Sequence, residues 1–299
     1  MPASAYDAVL GDNLTLRQCE SVEVAPNARI SRGRQSAATL ASAIFFDGAE
    51  PRCRFSTTDI ANALNSSTGL DPTTGLLVED EDIILAYQER DAGGVVSGSN
   101  HLELTATYGL IIPTSVQASQ GEAAARLDLE AALYSDDGLV HPFALVNNGA
   151  LASGAFNAQH RMGPVYIDST QLATILRFTV NFGLTIKVHT TDGDNYPTRV
   201  TLEMADPTID LVFENAKALS AYTALFKSMT SCACYLRKKA DGSSLVAEAT
   251  EEHISFAFGT GIQEVTPLSA SGSSHAEPGI RLHGKELTVS TTSAMPGSS

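Results

Sequence analysis

Tryptophan is missing from this 299-residue sequence, and aromatic residues make up only 6% of it. That argues against a sugar-stacking platform of indoles and leaves a carbohydrate-binding or carbohydrate-cleaving β-sandwich as the weakest alternative. Cysteine is scarce. Cys19, Cys53, Cys232 and Cys234 are too few for a disulfide framework in a chain of this length. Cys232 and Cys234 stand two apart, on one face of a strand, without the further ligands a zinc site needs, so they read as buried free thiols. No apolar run approaches the length of a membrane-spanning helix. The first residues lack the basic segment and apolar core of a signal peptide, so the expectation is a protein made and kept in the cytosol, or leaving it only inside an assembly.

Positive charge is also short. Residues 1–145 hold 20 acids against 8 Arg and no Lys, residues 146–299 hold 14 acids against 11 bases, and the net charge is −15. A surface that grips nucleic acid would be basic. The commoner reading is a plain acidic soluble surface; the other is an acidic wall that repels phosphate and lets DNA slide past without sticking.

Chemistry-bearing motifs are equally sparse. There is no glycine-rich phosphate loop, no GxSxG turn and no HExxH pair. The seven histidines are scattered, and His189 and His253 read as surface or edge residues. The acidic stretch at residues 79–82 lacks the spacing of a calcium loop and reads as a solvated edge. No catalytic, cofactor-binding or metal-ligating residue is assigned, and the expectation is a protein that is not an enzyme and carries no cofactor.

What the sequence does contain is alternation. In RFTVNFGLTIKVH (177–189), Phe178, Val180, Phe182, Leu184, Ile186 and Val188 are apolar in strict period two, which only an extended backbone turns into one face. These six are the predicted core of a strand about 40 Å long. Thr179, Asn181, Thr185 and Lys187 point the other way, towards a lumen or a neighbour. DGDNYP (192–197) closes a hairpin, and Val200, Leu202 and Met204 resume the alternation. Residues 101–112 and 125–133 alternate likewise. Residues 40–46 and 83–90 read as strands, and residues 57–64 as a short helix capped by Thr57 or Thr58 and carrying Ile60, Ala61 and Leu64. NARISRGRQ reads as a loop or an arm on a neighbouring subunit, PTSVQASQG (113–121) as a linker, and residues 138–154 as a loop. The loops at 65–78, 91–100 and 146–164 are long enough to be functional.

The second half repeats this plan. Phe55 followed by STTDIANALNSS matches Phe213 followed by ENAKALSAYTALFKS. Residues 84–94 match 232–244, 101–112 match 253–265, and 113–135 match 267–290, which pairs Tyr87 with Tyr235, Tyr108 with Phe258 and Arg126 with Arg281. A period of this size is a domain rather than a solenoid repeat. The fold class is therefore mainly β: two related β-sandwich or half-barrel domains, residues 1–145 and 146–299, each with a short flanking helix and long loops.

PRCRFSTTDIANAL (51–64), the YQERDAGG hairpin (87–94) and the alternating strands at 101–112, 177–188 and 253–258 resemble, as architecture, the tail tube proteins of tailed bacteriophages. That resemblance implies a virion structural protein of the tail, self-assembling into stacked rings around a DNA channel for genome delivery. Tail tubes of that family commonly have six domains per ring, so with the duplication the resemblance implies a homotrimer ring with pseudo-six-fold symmetry. Its partners would be further copies of itself, other tail proteins and DNA passing through the lumen without specific binding, with no membrane involved. A tail terminator, baseplate or decoration protein is the alternative within the same class.

Overall fold

The computed structural model describes residues 3–10, 14–34, 36, 39–65, 69–80, 82–90, 101–148, 158–214, 225–240, 244–266 and 278–296. The first half contains β1 (Ala3–Leu10), β2 (Leu14–Ala25), β3 (Ala28–Gly33), β4 (Ala43–Ala49), β5 (Arg52–Thr57) and the single-turn helix α1 (Ile60–Ala63). It continues with β6 (Leu76–Val78), β7 (Ile83–Arg90), β8 (His101–Ala106), β9 (Gly109–Ser119), β10 (Arg126–Leu133) and β11 (Ala144–Asn148). The second half contains β12 (Ala158–Ile167), β13 (Thr170–Gln171), β14 (Ile175–Asn181), β15 (Leu184–His189), β16 (Arg199–Ala205) and β17 (Thr208–Phe213). It ends with β18 (Phe226–Met229), β19 (Cys232–Ala240), β20 (His253–Phe258), β21 (Gly261–Val265), β22 (Gly279–Gly284) and β23 (Leu287–Ser293). The protein is mainly β, as its alternating sequence requires.

A 14-stranded sheet runs in the order β11-β8-β7-β1-β2-β5-β10-β9-β14-β17-β22-β21-β18, with β6 also on β9. A five-stranded sheet, β13-β12-β19-β20-β23, belongs entirely to the second half, and two ribbons, β3-β4 and β15-β16, stand apart. The large sheet bends back on itself. A methyl group added at Gly109 of β9 would lie 2.7 Å from the Ile83 side chain of β7, five strands away in the order. In the second half the five-stranded sheet covers the large one. Phe182 meets Phe256 edge to face with ring centres 6.4 Å apart, and Gly284 leaves room for the Phe258 ring. The layers close on one continuous core that includes Phe55, Ile83, Leu129, Phe178, Leu211 and Phe256.

The same pairing scheme occurs twice. Residue pairs Cys19↔Thr57, Val22↔Phe55 and Ala25↔Arg52 of β2·β5 correspond to Ile175↔Phe213, Phe178↔Leu211 and Asn181↔Thr208 of β14·β17, with a register bulge after Cys19 and after Ile175. Pairs Ile30↔Phe46 and Arg32↔Ile44 of β3·β4 correspond to Ile186↔Leu202 and Val188↔Val200 of β15·β16, again with matching bulges. Gly109↔Leu133 of β9·β10 corresponds to Gly261↔Gly284 of β21·β22. The pairs β7·β8, β8·β11 and β6·β9 recur as β19·β20, β20·β23 and β18·β21. On this register Phe55 corresponds to Leu211 rather than Phe213. Arg281 corresponds to Glu130 rather than Arg126, because Arg281↔Asp210 sits where Glu130↔Arg54 does, with the charges exchanged.

Several sequence expectations change in the folded chain. The single strand over 177–189 is two. β14 stops at Asn181 and β15 starts at Leu184, because Gly183 takes φ +65° and turns the chain out of the large sheet into a ribbon. The strand at 101–112 likewise breaks at Thr107–Tyr108 into β8 and β9, which pair with different neighbours. The supposed linker 113–121 is mostly strand, the outer half of β9. Pro113 is tolerated beside a bulge opposite Asp128 and Leu129. NARISRGRQ supplies β3, residues 138–154 contain β11, and the strand expected at 40–46 lies instead at Ala43–Ala49. The division at 145/146 falls inside β11, which pairs with β8. Helix α1 has Asp59 at its N-cap, with the Thr57 hydroxyl accepting from the Asp59 amide at 3.0 Å. The counterpart helix expected after Phe213, and the loop at 91–100, lie outside the described residues.

Candidate assembly interface

The two halves join along one seam. The outer half of β9 pairs antiparallel with β14 from Ser115↔Asn181 to Ser119↔Arg177. Further main-chain bonds extend it at both ends, Phe182 N–H to the Thr114 carbonyl at 3.1 Å and Gln120 N–H to the Leu176 carbonyl at 2.6 Å. Val116, Ala118, Phe178 and Val180 fill the core side of the seam and are fully buried. Burying that apolar strip offsets the cost of ordering two strand edges against each other.

The four residues expected to face a lumen or a neighbour do not stay together. Thr179 and Asn181 lie half-buried on the non-core face of the seam, where Asn181 Nδ2 donates to Asp210 Oδ2 at 3.1 Å. Thr185 and Lys187 are exposed on the ribbon, and Lys187 pairs with Glu203 at 2.9 Å. Phe178, Val180 and Phe182 are buried in the main core. Leu184, Ile186 and Val188, also expected there, are only half-buried. Once Gly183 has turned the chain, Ile186 and Val188 lie on the opposite side of the large sheet, in a second cluster with Leu110, Ile112, Ala132, Tyr134 and Val200, while Leu184 at the turn packs against both this cluster and the main core.

The ribbon β15-β16 thus lies over the outer face of β9 and β10, and its tip is tied down beyond them. Asn195 and Tyr196 donate their amides to the Gly138 carbonyl, the Asn195 carbonyl accepts from Ala49, and the Pro197 carbonyl accepts from Ser135. The Tyr196 hydroxyl hydrogen-bonds the His141 ring, 2.9 Å from Nε2, and its ring lies 6.0 Å from that of Phe46.

Both of these in-chain contacts have a counterpart that no strand among the described residues fills. Residues 21–25 of β2 correspond to residues 177–181 of β14 and pair with β5 on one side. Among the described residues no strand pairs with their other side. Val22 and Val24 are accordingly only half-buried, whereas their equivalents Phe178 and Val180 are fully buried. Ribbon β3-β4, the equivalent of β15-β16, exposes Ile30, Ile44 and Phe46. The sequence placed Ile44 and Phe46 in a strand and Ile30 in a loop or an arm on a neighbouring subunit, but did not mark their shared face as exposed. The signal was there in the period-two spacing of Ile44 and Phe46, which meant little without knowing what covered that face.

Away from the apolar cluster beneath β15-β16, the outer face of the large sheet carries paired charges rather than a bare acidic wall. Glu130 accepts from both Arg52 and Arg54, Arg126 pairs with Asp128 at 3.1 Å, and Asp210 holds Arg281, raising the pKa of that guanidinium further. Acidic residues 79 and 80 sit at one end, where the Asp80 and Glu79 carboxylates accept from the hydroxyls of Tyr108 and Tyr134. No group of three potential metal ligands occurs among the described residues. A cleft of about 440 Å³ lies beside the seam. Its two arginines are engaged, Arg161 with the Glu122 carbonyl and Arg237 with Glu248.

All four cysteines are buried, and none of them is in a disulfide. His253 is no edge residue. It is fully buried, with Nδ1 accepting from the Lys238 amide and Nε2 donating to the Ala247 carbonyl. No helix among the described residues is long and apolar enough to cross a membrane.

No protein-family model matches the chain, and no curated protein matches its sequence.

Proposed function

We propose that this chain is a structural subunit of a bacteriophage tail tube, with its two halves as copies of one tube-type domain that join sheets around a channel through which DNA passes. The observation that carries the reading is the β9·β14 seam, which merges the sheets of the two halves, together with the unfilled equivalent edge at residues 21–25. A chain with one such junction made and its counterpart open is built to continue. Because the junction joins unlike surfaces, repetition is head to tail, closing as a ring if the rotation allows. Three chains would supply six domains. Function on this reading comes from geometry rather than catalysis, with Thr179 and Asn181 on the polar face that bridges the two halves. The place of work is the virion tail, after assembly in the host cytoplasm.

Negative-stain electron microscopy over a concentration series tests this. Hollow tubes of uniform width, or stacked rings with three-fold symmetry, are expected. Small closed oligomers that never stack would favour a terminator, baseplate or decoration protein. A monomer that binds glycans would overturn the structural reading.

A further inference from the structure

The apolar face of ribbon β3-β4 is placed by what its twin does. Ile30, Arg32, Ile44 and Phe46 occupy the register positions of Ile186, Val188, Val200 and Leu202. In the second half this face is pressed onto β9 and β10, and Val200 is 6% exposed. In the first half Ile44, its equivalent, is 69% exposed, Ile30 59% and Phe46 45%. Neighbouring apolar side chains left this open on a two-stranded ribbon point to an interaction surface rather than to scattered exposure.

We infer that ribbon β3-β4 of one copy lies over the outer face of β21 and β22 of the next copy, repeating between chains what β15-β16 does within one. The occupant follows from the pairing scheme. β15-β16 covers the face formed by Leu110 and Ile112 of β9 and Ala132 of β10, and β21 and β22 offer Ile262, Glu264 and His283 at the corresponding positions. Ile262 is 52% exposed. Charge agrees as well. The ribbon carries exposed Arg32 where its twin has Val188, and the receiving face carries Glu264, already hydrogen-bonded to the His283 ring at 3.0 Å, where β9 has Ile112. An Arg on one face and an acid on the other make the contact between copies complementary, and Arg32 opposite Arg32 discourages one β3-β4 ribbon from meeting another. This rests on the subunit reading but specifies a junction that reading leaves open.

The full chain with both Ile44→Cys and Ile262→Cys, treated with a mild oxidant, is expected to give a ladder of disulfide-linked multimers. Each single variant alone should give none, and the four native thiols, all buried, add no background. Ile44→Cys linking to itself would mean ribbon meets ribbon and would overturn the inference, as would the absence of any ladder at all concentrations. Arg32→Glu is expected to weaken assembly at least tenfold and Glu264→Arg in the same chain to restore it. Failure to restore would reject this pairing of faces. Microscopy of the same samples separates the two levels: tubes without cross-links keep the tube and reject the junction, whereas cross-links without tubes keep the junction and reject the tube.

Discussion

Asn27 and Gly183 occupy the same position in the two halves, each just before a ribbon strand, and both hold a left-handed backbone, φ +47° and +65°. Each lets the chain leave the large sheet and start a ribbon. Glycine reaches this region freely and asparagine more easily than other residues. At Gly183 space is also lacking, because an added methyl would collide with the Asp206 carbonyl oxygen. Gly183→Ala is therefore expected to cost roughly 2–4 kcal/mol, strain and collision together. Asn27→Ala, which also loses the bond from Asn27 Nδ2 to the Glu50 carbonyl, should cost about 1–2 kcal/mol. Urea titrations of both variants check the order. An Asn27→Ala chain less stable than Gly183→Ala would contradict the collision.

Phe182 spans the two layers of the second half through Phe256 and is fully buried. Truncation to alanine removes a large apolar side chain and leaves a cavity between sheets, so Phe182→Ala should lose about 3–5 kcal/mol in chemical denaturation. Phe182→Asp buries an unpaired carboxylate there and is expected to prevent folding. Soluble, assembled Phe182→Asp protein would refute this placement.

His160 is buried, with its Nε2 lacking a hydrogen-bond partner among the described residues, and burial lowers its pKa from 6.5 to about 4. A bond to the Glu252 carbonyl opposes that shift, while the charges of Lys238 and His253 add to it. The unfolded chain therefore takes up this proton first as the pH falls. Stability from this group is complete above about pH 6.5 and is lost progressively down to about pH 4, a decline of roughly 3 kcal/mol. His160→Gln should flatten the stability profile across that window. An unchanged slope would show that other groups produce it.

The cysteines give a simple check on the core. Burial pushes the Cys53 thiol up to about 12 and the Cys234 thiol well above its ordinary value. A disulfide reagent at pH 8 should label none of the four thiols in native protein and all four after unfolding. Rapid labelling without denaturant would mean that one of these layers opens.

The cross-strand pair of Arg281 and Asp210 is closely matched but partly exposed. Its removal by Asp210→Asn should cost less than about 1 kcal/mol, in keeping with surface ion pairs. A calorimetric loss well above that would give the polar face a larger structural part than solvent screening permits.

The mainly β character was legible because Phe178, Val180 and Phe182, or Leu127 and Leu129, form a single apolar face only in an extended chain. The repeated order of elements was legible for the same reason, since turns and strand starts leave local marks. Partners left no such mark. Ser115 to Ser119 read as a linker because its residues are small and polar. It became strand once β14 was available to satisfy its amides, and the hydrogen bonds of a β-ladder are made by backbone groups that every residue type carries. The even positions of 177–189 alternated without interruption, yet one left-handed glycine sent Phe178 and Val188 to opposite sides of the same sheet. Where the alternation was strong, strand identity followed from side-chain period. Which edge each strand met, which face each ribbon covered, and which faces were left open were decided by tertiary packing, because those choices turn on shape and on the unpaired backbone of distant strands.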